Sequence, residues 1–489
     1  VKKAAAGVFF DDLCLRIPLR RLFVSCYNRQ TITQKRYLIP MQTTQIKDFT
    51  KGPIAKELII FSLPLFFSNL LQIVYNMVDM IIIGNHLGKN ALSSVAVGGD
   101  VSQLLTFLAI GFSGAGQVII ARLIGAKRHK EIGTFVGTMT GFLLAAALVV
   151  SVVGLLMRHT LLELMHTPAE AYQGALEYSA VCMVGLVFIY GYNIVSAILR
   201  GMGDSKHPFI FISIAAVLNL LLDILFVMVF DMGPAGAAIA TVMSQAVSFI
   251  ACSIFLLRHK EQFQLDVRPA SFLHWNRPML GNLLKLGFPM AIKSASVQIS
   301  KLFVNSWINS YGIVVSAFAG IANKVGNVSI LVSNATNTSG STVVGQNLAA
   351  GDFRRVNKTL RALAVINLSV AAVFSGLLLL FPEAIFSIFT TDPAVLELVP
   401  RYIPIAVLLF IGSALRAIMN ALINGSGNHR INFVTAILDG IVLRIGLALL
   451  FGLALDMKHY GFWLGDALAG FTPFWIGLGF YLSGRWKKG

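Results

Sequence analysis

Charged side chains and cysteines are both scarce in this chain. Only 12% of its 489 residues are Asp, Glu, Lys or Arg, against roughly a quarter in ordinary soluble domains. The four cysteines, Cys14, Cys26, Cys182 and Cys252, show no paired spacing, which argues against a disulfide framework or a zinc site. A Walker motif, an HExxH and a CxxC are all absent, so the sequence offers no site for ATP hydrolysis or zinc catalysis.

Apolar sequence is abundant instead. Apolar residues make up 56% of the chain, and they form recurring runs of about 20 or more residues with glycines inside, as membrane helices tolerate. Barrel strands would be shorter and would alternate. The net charge of +17 is spread over short segments between the apolar runs, which does not favour a nucleic-acid partner. We therefore expect an all-α integral membrane protein whose surroundings are the lipid bilayer.

Residues 1–50 differ in composition from the rest of the chain. The stretch 2–40 mixes Lys and Arg with short apolar pieces and lacks the apolar core of a secretory signal. One interpretation is a basic amphipathic segment on the inner leaflet. The other is a disordered or non-native extension, because Met41 is a plausible initiator.

Hydropathy and helix-breaking residues predict twelve membrane helices. Alternate connections are rich in Lys and Arg, whereas the opposite ones hold little beyond Lys89, Arg158, Arg401 and Lys458. By the positive-inside rule both termini are cytoplasmic, and we expect a multi-pass protein of the cell membrane. The predicted spans lie near residues 57–85, 92–122, 132–157, 170–200, 208–230, 236–257, 279–310, 314–347, 355–381, 395–424, 431–455 and 461–484.

The two halves of the chain resemble each other at an offset of about 224 residues. Pro64 in "FSLPLFF" corresponds to Pro289 in "LGFPMAI", and "ILRGMGDSKHP" corresponds to "LINGSGNHRIN". Two parallel repeats of six helices predict a pseudo-twofold axis along the membrane normal with a central cavity between two six-helix bundles. The predicted divisions are a basic extension (1–50), an N-terminal bundle (51–259), a cytoplasmic linker (260–278) and a C-terminal bundle (279–489).

Polar residues interrupt the first and fifth predicted helices. Asn69, Gln72, Asn76 and Asp79 are spaced by three, four and three residues, which indicates one helix face. An ionised Asp in mid-membrane costs about 2.5 to 3.5 kcal/mol on insertion scales, so this face should meet a partner or a wet cavity.

The fifth helix also carries an amide and a carboxylate on one face, because Asn219 and Asp223 are one helical turn apart in "VLNLLLDILF". Paired carboxylates can take up a proton, and carboxylate and amide oxygens would also suit sodium. The alternative is that Asp79 and Asp223 only join helices through hydrogen bonds. Asn193 and Ser196 on the fourth helix either complete a polar pocket or serve as such helix contacts.

The motifs that carry a family resemblance occur in both halves. They are Pro64, "VYNMVDMIIIGNHLG", "ARLIGAKR", "LRGMGDSKHP" followed by "VLNLLLDILF", and the later "GQNLAAGDF" and "NGSGNHRINF". In order and spacing, the chain from about residue 51 to residue 483 resembles the multidrug and toxic compound extrusion (MATE) transporters.

The resemblance implies a secondary antiporter, not an enzyme, that exports drugs or amphipathic metabolites in exchange for H⁺ or Na⁺ without a cofactor. It also implies that Pro64 is a hinge of the first helix and that Asp79, Asn219 and Asp223 couple the cation. If the ion is sodium, these three would be the metal ligands. We expect a monomer.

The C-terminal half departs from one branch of that family. A Glu that the NorM-like branch has in the seventh helix is absent, and Lys293 and Lys301 stand in this helix instead. This favours the DinF-like branch. Asp439 is expected to neutralise Arg416 or Arg444, in preference to forming a second ion site. Lysines lining the cavity would suit an anionic or zwitterionic substrate, so we count Lys293 and Lys301 with Gln72, Asn76, Asn193 and Ser196 as possible pocket residues.

Two alternative functions make different demands on the sequence. A flippase for lipid-linked saccharides, from the same superfamily, would line its cavity with many basic residues, and those of the C-terminal half fit that alternative. An intramembrane enzyme or a receptor would need a convergent nucleophile and base or a metal set, and no such set is evident in the sequence.

Overall fold

The protein is helical throughout the part that the computed structural model describes, residues 45–165, 167–266, 269–273 and 275–488. The basic extension falls almost entirely outside these residues. The helices are α1 (Ile54–Gly125), α2 (His129–Leu164), α3 (Ala169–Val184), α4 (Leu186–Gly201), α5 (Lys206–Asp223), α6 (Gly233–Arg258), α7 (Arg277–Asn309), α8 (Ile313–Ala349), α9 (Phe353–Leu380), α10 (Pro382–Ser387), α11 (Pro393–Leu396), α12 (Val399–Gly425), α13 (His429–Ile437), α14 (Leu443–Leu449), α15 (Lys458–Ala469) and α16 (Thr472–Leu482). Segments of π-helix follow α5 (Ile224–Val229), α13 (Leu438–Val442) and α14 (Leu450–Ala454).

These helices make twelve membrane spans. At 72 residues, α1 is far longer than one crossing requires, and it breaks at Gly88, whose φ of 81° is outside the helical region. It therefore counts as two spans. The pair α3 and α4 forms one span bent by 49°. In the same way α13, α14 and the intervening π-helices form one span, as do α15 and α16.

The backbone repeats its special conformations between the two halves. Positive φ angles occur at Gly88 and Gly312, and at Gly203 and Gly427, and each pair is 224 residues apart. Glycine adopts a positive φ without the strain that a Cβ atom causes. The four glycines therefore allow the chain to leave the helical conformation at matching places in the two halves. The all-α fold of two pseudo-symmetric six-helix bundles around a central cavity is thereby confirmed, with α1 to α6 in the N-terminal bundle and α7 to α16 in the C-terminal bundle.

Side-chain caps set where several helices begin. Asn276 accepts a hydrogen bond from the backbone N–H of Met279 at 3.1 Å at the start of α7, and Asn428 accepts one from Ile431 at 3.1 Å at the start of α13. A cap of this kind satisfies a donor that the first turn leaves free. The sequence boundaries of these helices were therefore close to those observed.

The two bundles contact each other at the end that carries residues 47–52 and Trp486, here called the terminal side. The side chain of Gln117 donates to Thr342 Oγ1 at 2.7 Å across the interface. The guanidinium of Arg122 donates to the backbone carbonyl of Ser426. The bond of Arg122 lies at the terminal ends of α1 and α12, and that of Gln117 lies about two turns further inside, so the two bundles are closed together on this side.

The segment 45–52 adds to this closure because it bonds to both bundles. The backbone N–H of Lys47 donates to the carbonyl of Met202 at 2.9 Å, and that of Phe49 donates to Gln346 Oε1 at 2.9 Å. Opening the terminal side would require at least one of these two bonds to break.

Glycine lets the two bundles approach closely at Gly125. A Cβ atom there would lie 2.0 Å from the backbone carbonyl oxygen of Gln346, which cannot move like a side chain. We therefore expect Gly125→Ala to hold the terminal side apart. Double electron–electron resonance between spin labels at positions 130 and 358 would show a longer and broader distance distribution than in the parent protein.

The matched control is Gly99→Ala, since a Cβ atom at Gly99 meets nothing within 4 Å. Its distance distribution should equal that of the parent. An unchanged distribution in Gly125→Ala would contradict this interpretation of the interface.

Candidate functional site

The two predicted acids of the N-terminal bundle lie together. Asp79 of α1 is partly buried, and Asp223, at the end of α5, has 0% of its surface exposed. The two carboxyl groups are close enough to interact directly. Asn219, one turn before Asp223, is 1% exposed. The structure therefore brings the three predicted coupling residues to one place.

The polar atoms of this cluster are largely unpartnered. Within the described residues, Oδ1 of Asp79, both carboxyl oxygens of Asp223 and both side-chain polar atoms of Asn219 are buried without a hydrogen bond. Burying such groups without partners costs free energy. Of these five atoms without hydrogen bonds, four are oxygens. A proton or a small cation bound to these oxygens would reduce that cost.

Part of the wall around the two acids is apolar or aromatic. Tyr178 of α3 lies near both carboxyl groups and packs in a cluster with Ile83, Val95 and Val227. In the described part of the chain no Lys or Arg forms an ion pair with Asp79 or Asp223. The negative charge of this site has no fixed counter-charge.

Regular α-helix ends at Asp223, where the π-helix Ile224–Val229 begins. A π-helical turn is rare and often occurs at functional sites, because the wider turn disturbs the regular hydrogen-bond ladder. The sequence contained no signal for this change.

A separate cavity of about 540 Å³ lies between the two bundles. Gln72 and Asn193 of the N-terminal bundle and Lys293 of the C-terminal bundle line it, together with Asn69 and Asn420. Three of the six predicted pocket residues therefore share one cavity. The cavity is of the size that binds drug-like ligands.

The other three predicted pocket residues lie elsewhere. Asn76 is exposed, and Ser196 is buried with its hydroxyl unpartnered among the described residues. Lys301 lines a second, small cavity of about 30 Å³ in the C-terminal bundle, beside Asp466. None of the three belongs to the lining of the central cavity.

Helix geometry explains why the predicted face of α1 divides between two sites. Asp79 lies ten residues after Asn69 and seven after Gln72, which corresponds to about 15 and 10 Å along the axis, whereas Gln72 and Asp79 differ by only about 20° in direction. Asn69 and Gln72 line the central cavity, whereas Asp79 lies further along the axis of α1, beside Asp223 of α5.

The charged residues of the C-terminal bundle form a buried network. Asp439 is 0% exposed and accepts from Nη2 of Arg416 and from Nη2 of Arg444, each at 3.0 Å. Arg444 also donates to Asp466. The prediction that Asp439 neutralises one of these arginines is confirmed, and the structure pairs it with both.

Lys293 is near Asp439 and Arg416 but forms no ion pair with them among the described residues. Its Nζ donates to Asn420 Oδ1 at 2.5 Å, and both residues line the central cavity. Its contact is therefore with an amide, which leaves the ammonium charge without a bonded carboxylate.

Pro64 lies inside α1, directly before Leu65, which lines the cavity. The carbonyl of Pro64 accepts from the hydroxyl of Ser68 at 2.8 Å. The neighbouring Ser62 hydroxyl is 2.5 Å from that of Ser339 in the C-terminal bundle. A proline cannot donate to the helical ladder, so α1 has a weak point next to a contact between the bundles.

Sequence reasoning did not single out Arg200 and Gln117 as site residues. Arg200 of α4 lines the central cavity, and its Nε donates to Gln117 Oε1 at 3.0 Å. Arg200 stands at the end of an apolar run in the sequence, a position typical of a basic connection between spans. Only the bend between α3 and α4 and the packing of α4 on α1 show that it reaches the cavity.

Known proteins resemble the chain along most of its length. It is 28% identical to "Probable multidrug resistance protein YpnP" of Bacillus subtilis over 90% of this chain and 97% of that protein. It is 22% identical to "Multidrug export protein MepA" of Staphylococcus aureus over 82% of this chain and 88% of that protein. Among solved structures, a MOP superfamily transporter from Pyrococcus furiosus superposes with a TM-score of 0.81 at 22% identity, over 91% of this chain and 98% of that one.

The family model described as MatE matches the chain twice, over residues 64–225 and 289–450. The two matches begin at Pro64 and Pro289, the prolines that the internal repeat aligned. With the helical fold and the paired bundles, this match shows that the chain belongs to the multidrug and toxic compound extrusion (MATE) family of secondary transporters and is not an enzyme.

Proposed function

We propose that the protein is a secondary active antiporter that exports drugs or amphipathic metabolites in exchange for H⁺ or Na⁺ by alternating access. The observation that carries this proposal is the pair Asp79 and Asp223, which has no fixed counter-charge among the described residues and lies apart from the central cavity. An antiporter must bind both an ion and a substrate, and the acid pair and the central cavity provide one site for each. The multidrug names of the relatives YpnP and MepA support the class of substrate.

The closed terminal side is proposed to face the cytoplasm. Described basic residues on that side include Arg122, Arg128, Lys130, Arg355 and Arg430, and Lys and Arg collect on the cytoplasmic side of membrane proteins. With both termini there and the cell membrane as location, the structure corresponds to an outward-facing state. Export then requires the contacts of Gln117, Arg122 and Gly125 to open in the other half of the cycle.

Coupling would run through α1, the helix that contributes to both sites. Asp79 belongs to the acid pair, whereas Asn69 and Gln72 line the cavity about 10 to 15 Å away along the same helix. A cation that neutralises the pair would change the packing of α1 against α5. Movement at Pro64 would then alter the cavity and release the substrate.

The chemistry of the site fits either ion. Two carboxyl groups that interact in an apolar pocket can share a proton. For sodium, oxygens of Asp79, Asn219 and Asp223 would be the protein ligands, because hard cations prefer oxygen donors. The transporter needs no cofactor in either case.

The domain divisions remain proposals of the same kind. An N-terminal bundle over 51–259, a linker over 260–278 and a C-terminal bundle over 279–489 agree with the two family matches and with the helix bounds. Each bundle contributes one wall of the cavity within a single chain, which supports transport by a monomer.

A vesicle experiment tests the proposed function. Purified protein in liposomes would be given a proton gradient, a sodium gradient or neither, with a panel of anionic, zwitterionic and cationic dyes. We expect gradient-driven movement of at least one dye, abolished by a proton ionophore or by replacement of sodium, according to the ion. Dye movement equal to that of empty liposomes under both gradients would contradict the proposal.

A further inference from the structure

The central cavity carries positive charge that is not neutralised. The charged residues in its lining are Arg200, Lys293, Arg416 and Asp439. Asp439 already accepts from Arg416 and from Arg444 behind it, at 3.0 Å each. Both guanidinium groups bond to the same oxygen, Oδ1, and Oδ2 is buried without a hydrogen bond among the described residues. The negative charge of the one carboxylate in the lining is therefore opposed by two guanidinium groups.

The other two cations of the lining bond only to amides. Lys293 Nζ contacts Asn420 Oδ1 at 2.5 Å, and Arg200 Nε contacts Gln117 Oε1 at 3.0 Å. Neither forms an ion pair within the described residues. They stand in opposite walls, Arg200 on α4 and Lys293 on α7, so the positive charge faces the cavity from both bundles.

Asp79, Asp223 and Asp466, unlike Asp439, lie outside this lining. Asp79 and Asp223 form their own cluster between α1 and α5, and Asp466 bonds to Arg444 beside the small second cavity. A cationic drug in the central cavity would meet three cationic side chains and one carboxylate, Asp439, whose charge is already opposed by Arg416 and Arg444. Like charges at short range in a poorly solvated space are unfavourable.

The remainder of the lining suits a molecule with both polar and apolar parts. Side-chain amides come from Asn69, Gln72, Asn193 and Asn420, and an apolar surface comes from residues such as Met290. Amides can bond to the neutral polar groups of a ligand, while its hydrocarbon covers the apolar wall.

We propose that the substrate is an amphipathic organic anion whose acidic group is held between Lys293 and Arg200. This inference rests on the proposed antiport function and names its substrate class. Export of an anion against entry of a cation moves charge in one direction in both steps. A membrane potential that is negative inside therefore assists both halves of the exchange.

Fluorescein and ethidium are suitable probes, because both are flat fused-ring dyes and their charges are opposite. Each would be loaded into proteoliposomes, driven by the same ion gradient and quantified after lysis at a fixed pH. We expect faster exchange of fluorescein than of ethidium. Export of fluorescein should also accelerate when a potassium diffusion potential makes the exporting compartment negative.

The variant Lys293→Gln removes the charge while its amide can still bond to Asn420. A hydrogen bond to a charged group contributes about 1.5 to 3 kcal/mol, so the KM for fluorescein should rise about tenfold or more. The control is Lys324→Gln, since Lys324 is exposed, lies over the ring of Phe389 at 5.9 Å and is not part of the lining. Its KM should stay within about twofold of the parent value.

The results separate this inference from the function on which it rests. Gradient-driven exchange of ethidium in preference to fluorescein, or an unchanged KM for fluorescein in Lys293→Gln, would overturn the anionic substrate and leave antiport intact. Failure of both dyes and of the wider panel under both gradients would overturn antiport and the anionic substrate together.

Discussion

Asp223→Asn is expected to reduce gradient-driven dye exchange to the level of empty liposomes. Asparagine has nearly the same shape as aspartate but cannot take up a proton, and it gives sodium one neutral oxygen in place of a charged carboxylate. Asp223 is fully buried with both oxygens unpartnered in the described structure. We expect Asp79→Asn to have the same effect, since the two carboxyl groups act as one site. Initial rates of exchange under an imposed ion gradient measure the loss.

The control for this prediction is Asp231→Asn, which makes the same chemical change eight residues later. The Asp231 side chain is 80% exposed, and its Oδ1 lies 3.9 Å from Nε2 of His86, which is a long and weak contact. Dye exchange by this variant should therefore be normal. If Asp79 and Asp223 only joined helices, their asparagine variants would keep gradient-driven exchange, because an amide still forms hydrogen bonds. Retained exchange in both would refute the coupling role.

Asp439→Asn is expected to destabilise the protein by about 3 kcal/mol, because removing one partner of a buried ion pair leaves the other charge unpaired. Arg416 would lose its ion-pair partner, and Arg444 would keep only Asp466. Retention of that second pair places the loss at the lower end of the usual range. Thermal unfolding of the detergent-solubilised protein, followed with a thiol-reactive dye at the buried Cys182 and Cys252, gives the measurement.

Asp456→Asn is the matched control in the same bundle. Asp456 is exposed and has a φ of 49°, a conformation that asparagine tolerates as readily as aspartate. Its unfolding temperature should equal that of the parent. If Asp439→Asn unfolded at the same temperature as the control, the network would be of no consequence for stability.

The sequence predicted the membrane helices well because two strong signals agree. Long apolar runs define the spans, and the repeated breaks at Gly88 and Gly312 mark where paired helices turn. The two short helices α10 and α11 were missed. They lie in a connection and bury only a residue or two each, so neither periodicity nor hydropathy distinguishes them from loop.

The candidate sites were predictable only in part. Asp79 and Asp223 stood out because a charge in an apolar helix demands a reason. Their separation from the central cavity depends on the 10 to 15 Å of α1 that lie between the two sites. The position of Arg200 at the cavity depends on the bend between α3 and α4. The π-helix after Asp223 and the double pairing of Asp439 depend on packing between distant segments, which spacing along one helix does not encode.

The central claim is that Asp79 and Asp223 carry the coupling ion, and counterflow tests it most directly. Liposomes with no imposed ion gradient would be loaded with the transported dye, and ion movement would be followed as the dye leaves, by a pH indicator or by radioactive sodium. The parent protein should move the ion inward as dye moves outward, and Asp223→Asn should move none. Equal inward ion movement in the parent and in Asp223→Asn would contradict the account.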